Sequence, residues 1–413
     1  MRRLRWFLWG GWFLLVLLTA AGARAADVWV QYVAEGGAEL RAVVGPDKTC
    51  PRMTADGVVL RARPRGTPDA AYPIEVCAAR VPPGAKILRA AGQLAPAPPA
   101  RLNRIVVLGD TGCRLTGRAV QDCNDPAQWP FARIARQAAA ERPDLVIHVG
   151  DFHYREAACP AGQAGCVGSP FGDNWPVWRA DFLAPAAPLL AAAPWVMVRG
   201  NHEICTRGGQ GWFRLFDPHA DAQCTARTAT YALTIGEQQF LVLDGADADD
   251  RQASAEPVEF YRQQLATLLG QARPHAWLLT HRPIWALAEY RGARQGEQLN
   301  ATQQAAIRGL VPPGLDMVIS GHVHNFTSYD FGPDRPAQLV VGNGGTSGDP
   351  IDQPLNVGTV IDGLPIQHVM GVAEYGYLVL DRAGDGWKGT LRGLGNTTLA
   401  RCEFRARTAR CRE

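Results

Sequence analysis

The chain has 413 residues, 47% of them hydrophobic, with 42 Lys and Arg against 39 Asp and Glu. So even a balance leaves no basic stripe of the kind a nucleic-acid binder needs. The length suffices for one large α/β domain and a smaller one.

Residues 1–25 read as a signal peptide. Arg2, Arg3 and Arg5 form a basic start, residues 6–21 are almost wholly apolar, and Ala23-Arg24-Ala25 places small residues where a signal peptidase cuts, before Ala26. The apolar stretch is short for a membrane span, Gly10 and Gly11 interrupt it, and no cysteine follows to take a lipid. The expectation is a soluble exported protein, secreted or periplasmic, with no stable membrane anchor after cleavage. Four arginines leave with the segment, so the mature chain carries 38 basic and 39 acidic residues.

Residues 26–94 hold short, partly alternating runs at 28–33, 40–44 and 58–63, broken by Gly and Pro, which predict a small β-rich domain. The Pro-rich stretch 95–100 reads as a stiff linker. From residue 104 the pattern changes to near-continuous apolar runs at 105–108, 145–147, 195–198, 240–243, 277–279 and 317–319, as in strands buried on both faces. Helical periodicity lies between some of them, at 131–142, 258–269 and 302–310, and further strand is expected at 339–341, 377–380 and 390–394. The expected class is α/β, with two packed mixed β-sheets flanked by helices over 101–395 and a disulfide-closed tail over 396–413.

Ten cysteines fit an oxidising compartment, and no Cys-x-x-Cys pair suggests a zinc site. Sequence neighbours make the expected couples: Cys50 with Cys77, Cys113 with Cys123, Cys159 with Cys166, Cys205 with Cys224, and Cys402 with Cys411. Connectivity is not fixed by sequence alone. Three of these loops begin just after a polar cluster, and are expected to brace it.

Five of the six buried runs end in such a cluster: Gly-Asp-Thr-Gly (109–112), Gly-Asp-Phe-His-Tyr (150–154), Gly-Asn-His-Glu (200–203), Thr-His-Arg (280–282) and Gly-His-Val-His-Asn (321–325). Ligand sites in open α/β sheets collect at the carboxyl ends of strands, so residues remote in sequence can converge there. The clusters supply two carboxylates (Asp110, Asp151), a phenol (Tyr154), an amide oxygen (Asn201) and three imidazoles (His281, His322, His324). That set suits two cations ~3.5–4 Å apart with one aspartate between them. His322 and His324, at i and i+2, are expected to project to one side of an extended backbone, with Gly321 permitting close approach. Singly, a Gly-Asp is usually a turn and a post-strand histidine a core residue. The order of all five carries the reading.

In that order the clusters resemble the calcineurin-like metallophosphoesterases, and within them the purple acid phosphatases, over roughly residues 104–330. The resemblance implies the four-layer sandwich of that superfamily and hydrolysis of phosphate monoesters by a hydroxide that the cations make available. Ordinary members usually read Gly-Asp-x-His in the first cluster. Here Gly112 takes the histidine's place, and Tyr154 ends a Gly-Asp-x-x-Tyr cluster, which looks like the pattern in which a tyrosinate binds ferric iron. Carried over residue by residue, Asp110, Tyr154 and His324 would hold Fe(III). Asn201, His281 and His322 would hold Fe(II), Zn(II) or Mn(II), and Asp151 would bridge. His202 would contact the phosphate or protonate the leaving oxygen, with Glu203 orienting it or its loop. In Arg-Pro-Ile-Trp-Ala-Leu-Ala-Glu-Tyr (282–290) the chain departs from the family, since Tyr290 stands where a second substrate-side histidine is expected.

The implied partner is a small-molecule phosphate ester. Two other readings stay open: a Mn- or Zn-dependent phosphodiesterase or nucleotidase, and a non-catalytic exported binding protein on the same scaffold. The natural substrate, the divalent metal and the oligomeric state are not legible. His148 reads as a core residue, His153 as pointing away from the ligands, and the acidic run 247–251 as a solvated loop.

Overall fold

The computed structural model describes residues 27–117, 119–220, 223–288, 296–351 and 356–413. The expected signal peptide and Tyr290 lie outside them.

Strands Arg104–Leu108, Leu145–His148 and Trp195–Met197 lie side by side in parallel, with Ile147 opposite both Val107 and Val196. Alternation sorts their side chains. Ile105, Val107, Leu145 and Ile147 face a second sheet, whereas Val106, Leu108, Val146 and Trp195 face helices Phe131–Ala140 and Ala184–Leu190. With both faces apolar, no polar position interrupts the runs.

The second sheet repeats the arrangement. Gln238–Val242, Ala276–Leu279, Leu315–Ser320 and Ala337–Val341 are parallel neighbours. Phe240, Trp277, Leu279, Met317 and Ile319 pack against the first sheet; Leu241, Leu278 and Val318 face helices Ala255–Leu269 and Ala301–Ile307. The layers run helix, sheet, sheet, helix, as expected. Antiparallel strands complete both sheets, giving eleven and seven strands among the described residues.

The boundary expected at 95–100 does not divide two cores. Val28–Tyr32 pairs in parallel with Trp195–Met197 through Gln31 opposite Trp195, and Ala38–Val44, Glu75–Val81 and Arg63–Arg65 continue that sheet. Trp29 packs on the helix side and Val30 between the sheets, so a strand apolar on both faces is covered on both. Of residues 26–94, Met53–Ala55, Val58–Val59 and Leu88–Ala90 form a separate small sheet, joined by Gln93–Ala95. The tail is likewise no appendage: Thr398–Arg405 and Thr408–Arg412 are the last two strands at one edge of the eleven, and Cys402 faces Cys411 across them. All five disulfides join the expected couples.

Candidate metal centre

The loops after five parallel strands meet at one place. The Tyr154 hydroxyl lies 3.1 Å from Asp110 Oδ1, 2.9 Å from Asp151 Oδ2 and 2.9 Å from His324 Nε2. On the other side of Asp151, its Oδ2 is 3.2 Å from His281 Nε2, which is 3.0 Å from Asn201 Oδ1. His322 joins this half, with donor atoms of Asp151, His281 and His322 all within 4.8 Å of one another. Asp151 Oδ2 thus belongs to both halves, the position a bridging oxygen requires.

The backbone is bent to achieve this. Asp110, Asp151 and His322 have φ of 57°, 58° and 75°, a left-handed conformation that costs non-glycine residues on the order of 1 kcal/mol or more and persists only where neighbours enforce it. Here they do: Asp110 N–H donates to Gly150 O, Asp151 N–H to Glu203, and His322 N–H to the Asp110 carboxylate. The bend at His322 corrects the expectation of an extended Gly-His-x-His. The two imidazoles do not share a side; His322 turns toward His281 and His324 toward Tyr154. Gly321 does allow the close approach, since a Cβ there would fall 2.3 Å from Asp110 Oδ2.

The protein alone neutralises this cluster poorly. Burial, then the Asp151 charge, pushes the Asp110 carboxyl well above its ordinary range. Burial and the two carboxylates likewise raise the Tyr154 phenol. Burial opposes the charge on Asp151 too, but the His281 and His202 imidazoles reverse that and hold it low. Burial keeps His324 down at about 4 and also lowers His322, so both are neutral near pH 7, the form that can donate a lone pair. His281 Nδ1 lies 2.8 Å from Val149 O and His324 Nδ1 lies 2.9 Å from Ser347 O, carbonyls that only accept, which places hydrogen on those nitrogens and turns both Nε2 atoms toward the cluster. Buried carboxylates, a phenol and imidazole nitrogens packed together fit two bound cations.

The sequence pattern of the family described as calcineurin-like phosphoesterase matches residues 103–326. The chain belongs to that family. Its likeness is to the purple acid phosphatases in particular: it is 24% identical over 225 residues to purple acid phosphatase 23 of Arabidopsis thaliana, covering 49% of this chain and 47% of the relative. It is 22% identical over 240 residues to a protein of the same plant named probable inactive purple acid phosphatase 1, covering 54% and 36%. The chain therefore spans less than half the length of these curated relatives. Among solved structures, purple acid phosphatase PPD1 from yellow lupin (Lupinus luteus) seeds aligns with a TM-score of 0.60 at 16% identity, over 90% of this chain and 72% of that one. PhoD aligns at 0.56 and 16%, over 94% and 91%. At such identities these two establish a shared fold.

Around the donors of this calcineurin-like phosphoesterase stand charged residues that the sequence reading passed over. His202 Nδ1 is 2.8 Å from Glu156 Oε1 and 2.7 Å from an Arg207 nitrogen, while Arg207 Nε donates to the same Glu156 oxygen at 2.6 Å. Despite partial burial, His202 and Arg207 hold Glu156 down at about 2, so it is ionised. Asp250, assigned above to a solvated loop, instead pairs with Arg282 and reaches His322 Nε2 at 3.0 Å. The Glu203 carboxylate is turned to backbone rather than hydrogen-bonded to the His202 ring. It accepts from the backbone N–H groups of Asp151, Phe152, His153 and Gly200, tying two clusters together. His148 stacks on Phe152 in the core, and His153 Nε2 turns to Gly172 O, away from the donors.

Proposed function

We propose that the protein is an exported purple acid phosphatase-like hydrolase of phosphate monoesters. Asp110, Tyr154 and His324 would hold Fe(III), with Asn201, His281 and His322 holding Fe(II), Zn(II) or Mn(II), and Asp151 between them. The observation that carries this reading is the Tyr154 hydroxyl seated among two buried carboxylates and His324, while Gly112, with no room for a side chain, packs against the Tyr154 backbone. A phenol so placed ionises only when a strongly charged cation compensates it, and phenolate is a hard anionic donor suited to a trivalent ion. Bound cations would supply charge neutralisation for the ester and lower the pKa of water.

The chain's own residues do the rest. Asp151 and the buried His281 fix the middle of the site, with Asn201 Oδ1 against His281. His202 lies with its ring 3.8 Å from that of Tyr154. Glu156 lies 2.8 Å from its Nδ1, and its Nε2 stands 3.8 Å from Asp151 Oδ2 and 3.0 Å from an Arg207 nitrogen, at the edge of the donor cluster. Burial lowers the His202 pKa while Asp151 and Glu156 pull it back, so acid pH favours the form able to give a proton to the leaving oxygen. Export is supported by the five disulfides, which form in an oxidising compartment.

Metal analysis of protein purified without added metal, together with kinetics on mono- and diesters, tests the reading. Iron plus a second metal, a visible band that Tyr154→Phe abolishes or shifts, and faster monoester turnover are expected. An unchanged band in that variant, or divalent ions only with a diester preference, would favour the phosphodiesterase or nucleotidase reading. Full metal occupancy with no hydrolysis of any ester would favour a binding protein.

A further inference from the structure

We propose that Arg114 forms a second anion-binding position beside the metal centre, so that the favoured ligand carries another phosphate next to the one bound by the metals. This rests on the phosphatase reading for the first phosphate only.

Three guanidinium groups each approach one imidazole of the site: Arg207 at His202 (2.7 Å), Arg282 at His322 (3.0 Å) and Arg114 at His324 (3.4 Å). Two have carboxylate partners, Glu156 for Arg207 and Asp250 for Arg282. Arg114 has none in ion-pair range among the described residues, and its Nε is buried without a hydrogen-bond partner. Nor can His324 serve it. The Nδ1 atom facing Arg114 already donates to Ser347 O, a carbonyl that can only accept, so no lone pair is left there for the guanidinium. Asp349 is the nearby carboxylate, but it lies against His324, 3.3 Å from Nδ1 and accepting from its backbone N–H at 3.2 Å. A half-buried guanidinium with an unused donor edge is costly unless an anion meets it.

The arginine is also held in place. Arg114 N–H donates to Gln121 Oε1 at 2.9 Å, Gln121 N–H returns a bond to Arg114 O at 2.8 Å, and Gln121 Nε2 reaches Gln128 O and Gly345 O. The Cys113–Cys123 disulfide closes this loop. These bonds fix the Arg114 backbone, and the planar guanidinium fork it carries is the group that recognises phosphate oxygens. It meets His324 at Nδ1, across the ring from the Nε2 that faces Tyr154, so an anion held by it would stand apart from one held among the metal donors. Ligands with adjacent phosphates satisfy both positions.

Titration calorimetry on metal-loaded protein with methylphosphonate and methylenediphosphonate, neither of which a phosphatase splits, tests this directly. Wild type should prefer the diphosphonate. In Arg114→Gln the diphosphonate should lose roughly 10- to 100-fold in affinity, the size of a charge-assisted contact, with methylphosphonate changed less than about threefold. Arg114→Lys, which keeps charge but not the fork, should fall between, and decides the matter if the Gln variant fails to retain its metals. Equal losses for both ligands, or no loss for the diphosphonate, would overturn the proposal. Wild type that binds both ligands yet hydrolyses no ester would instead remove the phosphatase reading and leave the Arg114 comparison intact.

Discussion

Asp181 joins the first two clusters from beneath. It lies fully buried on a π-helical turn, Arg179–Leu183, and accepts from the backbone N–H groups of Cys113 (3.1 Å), Tyr154 (2.9 Å) and Arg155 (3.1 Å) and from Arg155 Nε (2.5 Å). Such turns within helices recur at functional sites because they re-aim a side chain. Asp181→Ala would strip a buried guanidinium of its partner, worth about 3–5 kcal/mol, and leave three N–H groups short, at about 1 kcal/mol or more each where water does not reach them. Room vacated by the carboxylate admits water, so the net loss should be about 5 kcal/mol, a drop in Tm of roughly 10 °C at about 2 °C per kcal/mol for a chain this large. Arg155→Met in the same protein removes the orphaned charge and should restore about 2–3 kcal/mol, a coupling that denaturant unfolding of the four proteins measures. The visible band of the iron-loaded Asp181→Ala protein should shift as well, since Tyr154 loses its backbone tether. A single-variant loss under about 1 kcal/mol, or a double variant no better than the single, would refute the reasoning.

At Gly112 an added Cβ would fall 2.7 Å from Phe152 O and 2.9 Å from Tyr154 N. Gly112→Ala should therefore cost at least about 1–3 kcal/mol and lower iron content; native stability and colour in that variant would show the loop to be more accommodating than drawn. His202→Gln should reduce kcat by about 10²–10⁴ with metal content intact, and a decrease under about tenfold would move the proton-transfer role elsewhere. Burial, then Asp151, pushes Glu203 up to about 8, above the 4.5 expected when unfolded. A raised acid stabilises the fold while protonated. In metal-free protein that contribution is complete below pH 4.5 and vanishes as pH rises through about 8. Chelator-treated Glu203→Gln should lack this slope in a series of Tm against pH, and a slope as steep as wild type would discount Glu203 as its source.

The parallel strands were legible because burial on both faces writes an unbroken apolar run, as at 105–108 and 317–319. The donors after them were legible because the carboxyl end of such a strand is where a polar residue has a purpose. Residues 26–94 misled for a related reason. Their alternating runs look alike whether strands close a small domain or extend a large sheet, and the parallel pairing of Gln31 with Trp195 has no local trace. Arg114, Glu156, Arg207, Asp250 and Arg282 were missed because charged loop residues carry no periodicity. Glu156 and Arg282 sit within two positions of Tyr154 and His281, yet adjacency does not reveal where a side chain is aimed. The left-handed turn at His322 defeated an argument that assumed extended backbone.

Val28–Tyr32 is the earliest strand among the described residues, yet its parallel neighbour lies roughly 160 residues downstream, a long loop to close. Were the chain exported as proposed, amino end first, that ribbon would stay unpaired on one edge until Trp195–Met197 arrived. The Cys50–Cys77 crosslink can form meanwhile, because both sulfurs have already emerged, and it secures the hairpin of Ala38–Val44 with Glu75–Val81. Oxidation early in such a transit would give that segment a folded shape to wait in.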